Sequence, residues 1–302
     1  MKKGITKILS ACVFAFVVFL AAGTQSKAAV NMGVKQTGAG SSYVDLAWNA
    51  QLGAGHYHTQ FSQDGKNWID MDYSSSPSDS VYNLTQGASY YARVVAYNGS
   101  HYSGTHVMVG VSETAIVSTK PTEVTGLTQT AAGVNSVSMS WNASAGAASY
   151  VIYGYINYNW TQIGTSATNS ATITGVAATT STKFSVAAVK NVTGGTVTGD
   201  QCSGVEMKAI PIKVSRIAMQ YYWDSLKEAK YIWTDVNNAD GYQYEVKSAN
   251  GKKTYFRATS TNSSTYVKPF PRGIFVKARV RAYVTVGNKV RRMVSVYISC
   301  IQ

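Results

Sequence analysis

All four histidines of this 302-residue chain fall within one stretch, at His56, His58, His101 and His106. A neutral imidazole offers a lone pair to a transition metal, and its charge changes close to neutral pH, so metal binding and pH sensing are the chemistries to consider. His56 and His58 flank Tyr57, and on an extended strand such neighbours share a face. His101 and His106 lie farther along, beyond a second alternating segment. With Tyr91, Arg93 and Tyr97 also directed outward, the pattern describes a surface rich in imidazole and aromatic rings. Coordination needs several ligands at about 2 Å in a fixed geometry, and spacing alone does not supply it. The sequence therefore assigns no metal and no cofactor. It favours a polar exposed sheet, with these four histidines the candidate ligands.

A second chemical feature is charge. The formal net charge is +13, and it is unevenly spread. Residues 29–119 hold three basic and six acidic side chains, residues 120–210 four and three, and residues 211–302 sixteen and five, a net +11 for the last stretch. Within it Val276, Ala278, Val280 and Ala282 alternate with Lys277, Arg279, Arg281 and Tyr283, so the second set points outward from a strand whose first set is core. Beyond a turn at Gly287-Asn288 come Lys289, Arg291 and Arg292, with Arg292 on the opposite face. Such a surface attracts polyanions from beyond contact range, and less so in salt. The expected partners are an anionic cell-wall polymer, a polysaccharide or another surface protein, with no specific nucleic acid. The plainer account is that these cations keep an exposed sheet soluble and blunt its edges.

Aromatic side chains on hairpins form a third set. Trp68, Tyr155, Tyr158 and Trp160 have flat faces that match the apolar face of a pyranose, and they serve equally to shield core edges. Ser62 to Trp68 is similar to the Asp-box hairpin of some sugar-acting propellers, but it is one residue short and occurs once. A tight turn at Asp64-Gly65 is sufficient to explain it. No catalytic constellation is present in the sequence: the carboxylates are few and scattered, and there is no nucleophile turn or phosphate loop. The chain is not expected to be an enzyme.

The elements that position these groups come from a repeat. Trp48, Trp141 and Trp233 are 93 and 92 residues apart, and each is followed nine residues later by a tyrosine: Tyr57, Tyr150 and Tyr242. Each Trp closes a short alternating segment, and each copy reaches a second alternating segment whose last alanine is Ala96, Ala188 or Ala282. Val, Thr, Tyr and Ser dominate and no stretch carries apolar residues at helical spacing, so the class is all-β. This layout resembles the fibronectin type III family over nearly the whole chain. The resemblance implies three consecutive immunoglobulin-like β-sandwiches, with the Trp on the second strand and a corner tyrosine at the start of the sixth. That tyrosine survives only as Tyr90, with Thr182 and Val276 at the matching places.

Boundaries are expected near Lys120-Pro121 and Ile210-Pro211, giving modules at 29–119, 120–210 and 211–302. Residues 1–28 read as a removable secretory signal: Lys2, Lys3 and Lys7 precede an apolar run from Ile8 to Ala22, and Ser26 and Ala28 are small. That run is short of the roughly 20 residues that cross a bilayer. Cys202 and Cys300, the cysteines left after it, sit near the last strands of different modules and are expected as thiols. The expected function is that of a secreted binding or adhesion protein whose third module docks on an anionic surface, any retention at the cell surface being non-covalent. A carbohydrate-binding accessory and a passive structural spacer are the alternatives.

Overall fold

A computed structural model describes residues 29–102, 105–178, 180–270, 273, 275–287, 289–292 and 296–300, and for 289, 291, 292 and 296–300 the backbone alone. The signal segment at 1–28 and the side chains of Lys289, Arg291, Arg292 and Cys300 lie outside what is described. The first group of strands is β1 (Lys35–Ala39), β2 (Val44–Ala47), β3 (His56–Ser62), β4 (Ile69–Ser74), β5 (Ser78–Val81), β6 (Ser89–Tyr97), β7 (Met108–Val111) and β8 (Ala115–Ser118). The second is β9 (Thr128–Gly133), β10 (Ser136–Ser140), β11 (Ser149–Ile156), β12 (Asn159–Ser166), β13 (Ser170–Thr174), β14 (Thr182–Val192), β15 (Gly195–Thr198) and β16 (Val205–Met207). The third is β17 (Ile217–Trp223), β18 (Glu228–Trp233), β19 (Gly241–Ser248), β20 (Thr254–Ser260), β21 (Ser264–Val267), β22 (Val276–Val286), β23 (Lys289–Arg292) and β24 (Val296–Cys300).

Each group folds into the same pair of antiparallel sheets. In the first, β1-β2-β5 faces β4-β3-β6-β7, and β8 also pairs with β6. The second and third repeat this order as β9-β10-β13 against β12-β11-β14-β15 with β16, and β17-β18-β21 against β20-β19-β22-β23 with β24. That is the fibronectin type III strand order, three times over, and no helix occurs among the described residues.

Alternation in the sequence becomes inward and outward faces. Val44 and Leu46 on β2 meet Ala92, Val94 and Ala96 on β6 in the first core, and Val276, Ala278, Val280 and Ala282 are buried in the third. The Trp–Tyr spacing has a geometric reason. Trp48–Tyr57, Trp141–Tyr150 and Trp233–Tyr242 are all edge-to-face pairs, at 5.4, 5.2 and 5.5 Å between centroids. Each tyrosine hydroxyl then accepts the backbone N–H three residues past its Trp: Gln51 at 3.1 Å, Ser144 at 3.0 Å and Val236 at 2.7 Å. One side chain thus fills the core and satisfies a loop donor that would otherwise be buried without a partner. The corner tyrosine behaves as expected: Tyr90 accepts the Thr85 N–H at 3.0 Å.

A second repeated device went unread in the sequence. Gln36 on β1 donates to the Ser118 carbonyl at 2.8 Å and accepts the Ser118 N–H at 2.9 Å. Gln129 on β9 does the same to Lys208, at 2.7 and 3.1 Å. Both carboxamides imitate a backbone rung and clip the first strand of one sheet to the last segment of the other. Both precede a bulge, and in the third sandwich the register places Met219 there.

Successive sandwiches touch around the end of each long strand, β14 or β22. Thr193, between β14 and β15, donates its N–H to the Ile116 carbonyl at 2.8 Å and accepts the Ile116 N–H on Oγ1 at 2.7 Å. Beside it Lys190, 4% exposed, reaches the Gly87 carbonyl of the first sandwich. Register places Val284 and Val286 where Lys190 and Val192 stand, and these two valines pack on Ala132 of the second sandwich with Ile210 alongside. Lys208 pairs with Asp240 across the same junction at 2.7 Å.

Candidate functional site

In the first sandwich the outer face of β3 is roofed by Gly99, His101 and His106, which lie between β6 and β7. Gly55 permits this, because a Cβ there would stand 2.1 Å from the Gly99 carbonyl oxygen. The roof brings the four imidazoles together. His58 Nε2 lies 3.2 Å from His101 Nδ1, and one ring nitrogen from each of His56, His58 and His101 falls within 4.8 Å of the others. The His106 ring stands edge-on to His56 at 5.1 Å. The exposed-sheet expectation fails for His56, which is only 2% exposed because Gly99, His101 and His106 pack against it.

The rings are held from outside the cluster. His56 Nδ1 bonds the Gly99 carbonyl at 3.0 Å, and its Nε2 is buried with no hydrogen-bond partner. Tyr97 stacks on His56 at 5.3 Å and Tyr73 on His101 at 3.8 Å. The Asp70 carboxylate lies 3.6 Å from His58 Nδ1, and the neighbouring His58 imidazole holds it below the usual carboxylate range against the opposing pull of burial. Gln60 donates to Asp70 at 2.6 Å and accepts from Arg93 Nε at 2.7 Å, and the Arg93 guanidinium lies 4.2 Å from the centroid of Trp68. Trp68 is therefore committed to a cation–π contact at the end of this chain of partners. Burial first, and then the neighbouring His58, His56 and His106, push the His101 imidazole below its usual value.

The third sandwich carries the cations on β20-β19-β22. Register places Glu245 opposite both Arg257 and Arg279, Lys247 opposite Lys277, and Gln243 opposite Arg281, so these side chains share one face. Glu245 is 2% exposed at its centre. Arg257 Nη2 meets Oε1 at 2.6 Å, Lys247 Nζ approaches the same atom at 3.4 Å, and Arg279 Nε closes on Oε2. Burial works to raise the Glu245 pKa, but the two guanidiniums and the ammonium outweigh it and hold the carboxyl below its ordinary value. Arg281 leans on the Gln243 carboxamide at 2.8 Å from Nε, while Lys277 is exposed. The sequence singled out Lys277, Arg279 and Arg281 but missed Glu245, Lys247 and Arg257. The alternation of Gln243, Glu245 and Lys247 along β19 was the available signal.

The aromatic set is divided. Tyr155 and Trp160 meet edge-to-face at 5.3 Å across the β11–β12 hairpin, and Tyr158 at its turn is 90% exposed. Trp68 lies in the first sandwich. Asp64 caps its turn, accepting the N–H groups of Lys66 and Asn67 at 2.8 Å each, with Gly65 at φ +72°. Cys202 is a buried thiol beside Ser185.

No protein-family model matches the chain, and no curated protein matches it. Among solved structures it is similar to the crystal structure of chicken CNTN1 FN1–FN3 domains, at 15% identity and a TM-score of 0.31, over 89% of this chain and 98% of that one. It is also similar to a two-domain fibronectin type III segment from chicken tenascin, at 16% identity and a TM-score of 0.30, over 58% and 97%. The class is that of tandem fibronectin type III sandwiches, and it rests on the strand order found in all three modules.

Proposed function

We propose that the protein is a secreted, non-enzymatic binding protein that docks on an anionic extracellular polymer through the outer face of its third sandwich. The observation that carries this reading is the gathering of Lys247, Arg257, Lys277, Arg279 and Arg281 on one sheet face around a single buried carboxylate. Glu245 offsets one charge and orients two guanidiniums, so the face keeps a surplus of donors that a phosphate or carboxylate chain can accept. Outward strands with long cationic side chains also suit an extended polymer better than a compact ligand. No helix of the described residues is long and apolar enough to cross a membrane.

The test is retention on polyphosphate and on a polyuronate matrix across a salt series. Replacing Lys247, Arg257 and Lys277 by Gln leaves the Arg279–Glu245 contact in place. It should lower affinity and flatten the slope of log affinity against log salt by about 0.7–0.9 for each cation that touches the polymer. An unchanged slope would reject the docking face. A second reading, sugar stacking, is favoured by the Tyr155, Tyr158 and Trp160 tip alone, and a Trp160→Ala variant that still binds neutral glycans removes it.

A further inference from the structure

We propose that His56, His58 and His101 form a binding site for a borderline divalent transition metal, of which Zn2+ is the representative. Three features of the cluster point there. Tetrahedral coordination with nitrogen at about 2.0–2.1 Å separates neighbouring ligand atoms by about 3.3 Å, and His58 Nε2 and His101 Nδ1 already stand 3.2 Å apart. The third ring completes a set of ligand atoms lying within 4.8 Å of one another, so closing it on an ion takes side-chain adjustment and not a change of backbone.

The tautomers are also prepared. His56 Nδ1 faces a carbonyl oxygen, which can only accept, so Nδ1 carries the proton and Nε2 keeps its lone pair. That atom is buried and has no hydrogen-bond partner, a costly arrangement for a polar group unless something occupies it. Asp70 stands at Nδ1 of His58 in the same way, the carboxylate–imidazole arrangement that sets ring orientation and raises ligand basicity in metal sites. With His58 Nδ1 protonated toward Asp70, Nε2 is free to coordinate, and the ion takes the place of the proton that His58 and His101 otherwise share.

The ligand set also selects the ion. Neutral imidazoles suit Zn2+, Cu2+ and Ni2+, whereas Mg2+ and Ca2+ require oxygen donors. Asp70 holds the second layer, and His106 is placed to approach a fourth position from the roof. Tyr73 and Tyr97 wall the cluster and restrict ring rotation, so less freedom is lost on binding.

The experiment is calorimetric titration of ZnCl2 into the full chain carrying no affinity tag, with MgCl2 as comparison. One Zn2+ per chain and no saturable Mg2+ binding are expected. His58→Gln and His101→Gln should each weaken Zn2+ by about a hundredfold or more, and Asp70→Asn by roughly tenfold to a hundredfold as an outer-layer change. Circular dichroism melts of the metal-free variants check folding, and His101→Gln, on the roof and away from the core, keeps the test open should His58→Gln misfold. Absence of a unit stoichiometry, or Zn2+ affinity indifferent to His101→Gln in a folded protein, overturns the proposal.

Discussion

Glu245→Gln separates the structural part played by the third sandwich's basic face from its binding part, because the two should respond in opposite directions. The carboxylate is 2% exposed and touches Arg257, Arg279 and Lys247, whose side chains are 55%, 23% and 30% exposed. Breaking a fully buried ion pair costs about 3–5 kcal/mol, and exposed pairs contribute under about 1 kcal/mol. Here the abandoned guanidiniums can turn to water, and Gln keeps one acceptor oxygen. The expected loss at neutral pH is therefore about 2 kcal/mol, between those limits. The folded pKa lies below the ordinary 4.5, so this stabilisation is present above that value and vanishes as pH falls through the folded one. The gap between wild type and variant should close in acid. Urea unfolding with hydrogen exchange of the β19 and β22 amides, run at neutral pH and again well below 4.5, measures both. Retention on polyphosphate should meanwhile rise, since the face loses its one negative charge. A variant as stable as wild type at neutral pH, or a deficit that persists undiminished in acid, refutes the reasoning.

Two further expectations concern the frame. Tyr242→Phe removes the acceptor of the Val236 N–H and the donor to Asp235, and should cost about 1–3 kcal/mol in urea unfolding; burial and then the Asp235 contact push that hydroxyl up to about 12, so the wild-type advantage is whole below pH 10 and lost as pH climbs through 12, which an alkaline titration of the variant pair would show or disprove. Lys190→Ala should leave the second sandwich folded while loosening its seat on Gly87, read as broadened inter-module distances by spin labels, and unaltered distances would deny the lysine that part.

What the sequence disclosed was whatever repeats or alternates. The two-residue period of the Val276–Ala282 strand led to the outward cations, a local consequence of the pleat, while the sandwich class came from the resemblance that the repeated Trp–Tyr spacing carries. The Gln36 and Gln129 clips lie 93 residues apart, the interval of the first two tryptophans, yet a glutamine has no strong positional preference to mark it. Partners set by tertiary approach stayed hidden. Nothing in the run from His56 to His106 says that Gly99 and His101 come to rest against β3, so His56 read as exposed when it is buried. Glu245 is one carboxylate among cations until the register places it between Arg257 and Arg279. The sequence left Trp68 between sugar stacking and edge shielding, and the Arg93 guanidinium over its ring is a partner no spacing disclosed.

The strand ends that seat each sandwich on the one before it make the stability of the modules a shared property. Thr193 exchanges backbone-type bonds with Ile116, and Val284 and Val286 lose water only while Ala132 is in place. The chain should therefore behave thermodynamically as a short linear lattice, each unit carrying its own folding free energy plus a nearest-neighbour coupling. Among the three sandwiches the middle one is coupled to both of the others, through Thr193 to the first and through Ala132 to the third. Melting the middle sandwich would strip both neighbours of an interface at once, which makes it the one whose loss the whole array would feel most.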